Sequence, residues 1–149
     1  MSLDGVTVSS TNAALAASST LGEYTYRFYM QSQTTISTKV GKITEIHFVG
    51  SGNKNNYSLK NLSSTDKNYT STQDDYGVWT GSAKDVVFKA SPQVRAVQII
   101  VTIAMPKSYT FDETSTQNVI ENCSYANVTL KRTVEASHWN TFCVPFSLT

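Results

Sequence analysis

Apolar and polar residues alternate with period two through most of the chain. "VTV" sets Val6 and Val8 on one face, and "YTYRFYM" sets Tyr24, Tyr26, Phe28 and Met30 against Thr25, Arg27 and Tyr29. "ITEIHF" pairs Ile46 with Phe48, and "VVFKA" aligns Val86, Phe88 and Ala90. The longest run, "VRAVQIIVTI", puts Val97, Ile99, Val101 and Ile103 on one side and Ala96, Gln98, Ile100 and Thr102 on the other. Later, "VTLKRTV" carries Val128, Leu130 and Val134, interrupted by Arg132. A two-residue period places alternate side chains on opposite faces of a strand, so each run predicts a half-buried β-strand.

Turn clusters separate the runs: "STKVGK", "GSGNKNN", "SSTDKN", "TQDDYG", "ASPQ" and "MPKS". Gly, Asn, Asp and Pro supply the backbone conformations that tight turns need. Many short strands at this spacing predict a sandwich of antiparallel strands. "TNAALAASST" is Ala-rich but too short for a stable helix, and reads as a loop with at most one helical turn. The composition shifts at "MPKSYTFDETSTQN". Residues 4–104 therefore read as one β-sandwich module. Residues 105–149 read as a short C-terminal β extension with two strands and little core of its own, an incomplete second β module.

Composition narrows the partners. Of 149 residues, 40% are hydrophobic and only 15% charged, Ser and Thr make up about a quarter, and Tyr is the commonest aromatic. This describes a hydroxyl-covered β surface. The net charge is +1 with no basic block, which argues against a nucleic-acid partner, because phosphate binding needs clustered Lys or Arg. No run of 18 apolar residues predicts a membrane span. Cys123 and Cys143 are too few for a disulfide framework and lack metal spacing; one bridge or two buried thiols both fit.

The order of the pieces resembles a known module. "GKITEIHFVGSG", "NLSSTDKNYT" and "GVWTGSAKDVVFKASPQVRAVQIIVTI" resemble a β-sandwich module of secreted and surface proteins from Bacteroides-type gut anaerobes. Its pattern is "I-T-x-I-x-F", a variable Gly/Asn/Ser loop, a "W-x-G" step, "V-x-F-x-A", and a last strand with Arg followed by alternating aliphatics. Here these fall at Ile43–Phe48, Gly50 to Gly77, Trp79–Gly81, Val87–Ala90 and Arg95–Ile103. The stretch "VTLKRTVEASHWNTFCVPFSL" is similar to a signature of the same proteins in which an Arg precedes "W-N-T-x-C-x-P-F" by about 5–7 residues, with Arg132, Trp139, Asn140, Thr141, Cys143, Pro145 and Phe146 in place. The resemblance implies a jelly-roll, carbohydrate-binding-like sandwich, a secreted or cell-surface location, and further domains of a larger parent protein. In those proteins the signature opens a β-rich region that runs well beyond it.

Candidate ligand-binding residues cluster between Tyr57 and Trp79. Tyr57, Tyr69 and Tyr76 lie in the polar loop region, and Asp74 and Asp75 adjoin Tyr76. Aromatic faces stack on sugar C–H faces while carboxylates bond sugar hydroxyls. Trp79 is either such a platform or a cover on the core. Asp66, Asp74 and Asp75 are the candidates for a structural calcium, although no spaced ligand loop is visible. His47 alternates with Glu45, so both face solvent, and His138 is far away. No Ser-His-Asp arrangement, phosphate loop or metal spacing can be argued, so no catalytic residue is assigned. Five Asn-x-Ser/Thr sequons, at Asn56, Asn61, Asn68, Asn122 and Asn127, read as a by-product of composition. The expected function is that of a non-catalytic accessory or adhesion module binding glycan or cell-surface polysaccharide. A structural spacer, or a fragment of a secreted hydrolase with its active site elsewhere, are the alternatives.

Overall fold

The computed structural model describes residues 1–15, 26–50, 57–119, 121, 126–134 and 136–137. Its strands, in chain order, are β1 (Ser2–Leu3), β2 (Val6–Ser10), β3 (Ala13–Ala14), β4 (Tyr26–Phe28), β5 (Gln33–Thr38), β6 (Lys42–Gly50), β7 (Leu62–Ser64), β8 (Tyr69–Thr70), β9 (Tyr76–Ala83), β10 (Asp85–Ala90), β11 (Val94–Ala104), β12 (Lys107–Asp112) and β13 (Ala126–Lys131). A 3-10 turn, Leu59–Asn61, precedes β7. The chain divides into two compact units, Met1–Met105 and Pro106–Thr149.

The first unit is an all-β sandwich of two antiparallel sheets. One has the order β1-β2-β5-β10-β7, the other β3-β4-β11-β6-β9-β8. Its core follows from the alternation. Ile36, Val86, Phe88 and Ala90 of the first sheet, and Phe28, Ile46, Phe48, Trp79, Val94 and Ala96 of the second, form one buried cluster. Phe48 on β6 meets Phe88 on β10 edge to face, with centroids 4.9 Å apart. Tyr69 packs edge-on against both rings, at 5.9 and 5.8 Å, and Phe28 stands 6.4 Å from Phe48.

Several expectations need correction. Strand β5 was not among the predicted runs, because its inward side chains are Thr34, Ile36 and Thr38, only one of them aliphatic. Two buried threonines are tolerated there because their hydroxyls are satisfied: Thr34 Oγ1 donates to Ser10 Oγ at 3.0 Å and Thr38 Oγ1 to the Val40 carbonyl at 2.6 Å. In β11 the simple alternation fails. The pairing with β6 shifts register between Ala96 and Gln98. Val94 and Ala96 are buried, Val97 is exposed, and Ile99, Val101 and Ile103 turn back toward the interior. One extra residue in a bulge reverses the parity of all that follow. Met30 also leaves its expected face: β4 ends at Phe28 and Met30 is exposed. Of the alanine stretch, Ala13–Ala14 form the short strand β3, and residues 16–20, on which a helical turn could fall, lie outside the described residues.

Glycine explains the "W-x-G" step. A Cβ on Gly81 would lie 2.5 Å from Trp79 Cζ2, so the indole lies across a backbone that must carry no side chain. At Gly77 a Cβ would lie 1.9 Å from the Tyr69 hydroxyl.

The second unit, among its described residues, is a two-stranded sheet. Strands β12 and β13 pair in parallel, from Lys107 opposite Ala126 to Asp112 opposite Lys131. This departs from the antiparallel expectation, and "MPKS", read as a turn, lies at the start of β12. A parallel pair needs a crossover of about a dozen residues, and residues 113–125 supply it. Polar contacts brace the connection: Lys107 pairs with Glu121, and Glu113 takes Arg132 Nε at 3.6 Å and the Thr133 amide at 2.6 Å. Cys123 and Cys143, and the signature residues Trp139 to Phe146, lie outside the described residues.

Phe48→Ala is expected to destabilise the sandwich by about 3–5 kcal/mol, the cost of losing a buried aromatic and leaving a cavity. Urea unfolding followed by circular dichroism measures it. A loss under about 1 kcal/mol would show that the two sheets do not depend on this contact.

Candidate functional site

The predicted binding residues separate into two groups. Trp79 is 1% exposed, and its Nε1–H donates to Asp66 Oδ2 at 2.8 Å. The stacking-platform role is thus corrected: both ring faces are in the core, where strand alternation on β9 sends position 79 inward with Gly77. Tyr69 is half-buried, its hydroxyl donates to the Leu59 carbonyl at 3.1 Å, and burial pushes its phenol above the ordinary value. It completes the aromatic core from the sheet edge.

Tyr57, Asp74, Asp75 and Tyr76 do come together, at the end of the six-stranded sheet where β6 finishes at Gly50. Two backbone bonds tie the segments: the Gly50 amide donates to the Asp75 carbonyl at 2.6 Å, and the Leu59 amide to the Asp74 carbonyl at 2.9 Å. The Ser58 hydroxyl caps the 3-10 turn, accepting from the Lys60 amide at 3.1 Å and donating to Asp74 Oδ1 at 2.6 Å. Lys60 Nζ stands 3.5 Å from the same oxygen. The Ser58 bond, helped by the Lys60 charge, holds the Asp74 carboxyl below its usual range. Asp75 is exposed on the same turn.

Tyr76 projects from the outer face. It is 42% exposed, and its hydroxyl lies 2.6 Å from His47 Nδ1, with the rings 5.6 Å apart at 64°. His47 Nε2 lies 2.6 Å from Glu45 Oε1. With a neutral ring protonated on Nε2, the imidazole donates a hydrogen bond to Glu45 and accepts one from the Tyr76 hydroxyl. The outward pair Glu45 and His47 was legible from alternation. Their link to Tyr76 was not, because it depends on the β6–β9 register, in which Val49 faces Tyr76 and His47 faces Val78.

Arg95 borders the same end. Its Cζ lies 3.7 Å from the Tyr57 ring centroid, and its amide donates to the Tyr57 carbonyl at 3.2 Å. No sequence signal singled it out as a site residue, since it stood in the framework pattern of a strand.

The three aspartates proposed for calcium do not gather. Asp66 sits in the β7–β8 turn, where its oxygens receive Trp79 Nε1, the Asn68 amide at 3.1 Å and Asn68 Nδ2 at 3.3 Å. Asp74 is held by Ser58 and Lys60. Among the described residues no group of three or more His, Cys, Asp or Glu is placed to hold a metal. No protein-family model, curated protein or solved structure matches the chain. No helix among the described residues is long and apolar enough to cross a membrane.

Asp66 generates a pH prediction. Desolvation pushes the carboxyl of this exposed residue up, but hydrogen bonds from Ser64, Asn68 and Trp79 outweigh this and leave it below the usual value. A lowered carboxylate stabilises the fold above the unfolded-state value and loses that effect as pH falls through the folded one. Asp66→Asn should therefore be less stable than the parent at neutral pH. The gap should begin to close near about pH 4 and vanish below the lowered native value. Urea midpoints across this range test it; a gap independent of pH would remove the carboxylate from the account.

Proposed function

We propose that this chain is a non-catalytic glycan-binding or adhesion module of a secreted or cell-surface bacterial protein, with a jelly-roll sandwich as its frame. The strand order supports the frame. The neighbours β4 and β5, β6 and β7, and β10 and β11 fall in opposite sheets. Among the described strands, the orders β4-β11-β6-β9 and β5-β10-β7 are compatible with interleaved Greek keys. The resemblance to modules of Bacteroides-type surface proteins supports the location and the expectation of further domains.

One observation supports the binding role: Tyr76 presents an exposed ring on strand β9 and is held there by His47 and Glu45. A sugar platform needs an aromatic face whose orientation is settled before the ligand arrives, because rigid aromatics contribute contact area at low entropy cost. Hydroxyl and amide groups surround it. Val78 and Thr80 of β9 lie on the same outer side, and the register of β11 brings Gln98, Ile100 and Thr102 beside Val49, His47 and Glu45. Such a face of aromatic, small apolar and hydroxyl side chains suits the alternating C–H and O–H surface of a sugar chain. In this reading the Glu45–His47–Tyr76 chain positions a ring and transfers no proton to a ligand.

Glycan-array binding by the full chain, reduced about tenfold or more by Tyr76→Ala, is the expected result, since a central tyrosine contributes more than about 1 kcal/mol. An array flat across plant, mucin and microbial polysaccharides would overturn the reading and favour a structural spacer.

A further inference from the structure

We infer that Arg95, backed by the Tyr57 ring, seats a sugar carboxylate, so that the ligand is an acidic glycan; the inference rests on the glycan-binding reading above. The first observation is register. In the antiparallel β4–β11 pair, Arg95 stands directly opposite Arg27. Phe28 and the Val94 and Ala96 side chains point into the core, so both arginines belong to the outer face. Like charges directly across an antiparallel pair destabilise it. Arg27 is engaged in a contact of its own and enters here only as a neighbouring positive charge.

The second observation is how little compensates Arg95. Among the described residues no carboxylate pairs with it, and its Nε is buried without a hydrogen-bond acceptor. Its visible side-chain partner is the Tyr57 ring at 3.7 Å. The nearby acid Asp74 already takes Ser58 and Lys60. A buried polar group left unsatisfied destabilises the fold, the more so when charged. Among the described residues, the guanidinium thus stands without a carboxylate partner where the candidate binding residues also gather.

The third observation is shape. Stacking on Tyr57 occupies a face of the guanidinium and fixes its plane, which leaves the edge of the fork for a ligand. A planar fork of N–H groups matches a planar carboxylate through two parallel charge-assisted bonds. A carboxylate-bearing sugar at the terminal Nη groups is therefore the occupant that offsets the like charges, while the buried Nε lies out of its reach. Tyr76, across β6 from this point, supplies the stacking surface for the neighbouring ring of the chain.

Titration calorimetry of the full chain with a uronate oligosaccharide and with its carboxyl-reduced neutral counterpart tests the inference. The uronate should bind about tenfold or more tightly than the reduced form, and this preference should shrink at high salt. Arg95→Gln should abolish the preference. Arg95→Lys, which keeps the charge but loses the fork, should weaken uronate binding in part, and it carries the test if the Gln variant melts early. Equal binding of the two ligands, unaffected by either Arg95 change but lost in Tyr76→Ala, would overturn the carboxylate seat and leave glycan binding standing. Preference for a sulfated oligosaccharide over the uronate would also overturn it. Binding of neither ligand overturns it too, and a flat glycan array alongside would remove the glycan reading as well.

Discussion

The edge-to-face contact of Phe48 with Phe88 is where the two sheets of the first unit are joined. The rings come from β6 and β10, each placed inside its own sheet with strands on both sides. Edge-to-face geometry sets the positive rim of one ring against the negative face of the other, and burial of both adds the larger hydrophobic share. Tyr69 closes the cluster from β8, and its position is possible only because Gly77 leaves room for the hydroxyl. With the aromatic mass turned inward, Trp79 follows, and its indole N–H is satisfied by Asp66 at the sandwich rim.

That inward commitment determines which aromatics remain at the surface. Two of the aromatics in the 57–79 stretch, Tyr69 and Trp79, belong to the core. Tyr57 and Tyr76 are left at one end of the six-stranded sheet, each with a polar escort: Arg95 beneath Tyr57, and His47 with Glu45 beside Tyr76. The escorts differ in kind. The imidazole chain is internally satisfied and holds its ring in place. Among the described residues the guanidinium has no carboxylate partner, and the proposed acidic ligand follows from that contrast.

The second unit obeys different economics. Its strands β12 and β13 leave most side chains exposed, with Tyr109, Phe111, Val128 and Ala126 only partly covered. The described part is held by polar links around Asp112, Glu113 and Asn118, including the Asn118 amide, which accepts from the Asp112 amide and donates to the Asp112 and Ser115 carbonyls. Exposed ion pairs of this type contribute little individually. A parallel pair exposed on its faces is unusual, because parallel strands are commonly covered on both sides.

Alternation in the sequence determined that this is a β protein and which way most side chains point. Val6, Val8, Ile46, Phe48, Val86, Phe88 and Ala90 all face inward as the two-residue period requires, because the pleat leaves no other choice. The period was blind where something interrupted it or where polar groups took the inward places. The bulge after Ala96 reversed the parity of β11, and β5 hid behind threonines that find their partners only in the folded chain. The site was legible in part: Tyr57, Asp74, Asp75 and Tyr76 stood out as polar-loop residues, and Glu45 with His47 as an outward pair. Which aromatics were core, that His47 reaches Tyr76, and that Arg95 stacks on Tyr57 opposite Arg27 were decided by register between strands distant in sequence. Local pattern sets the face on which a side chain emerges. Only the pairing of strands sets what it meets there.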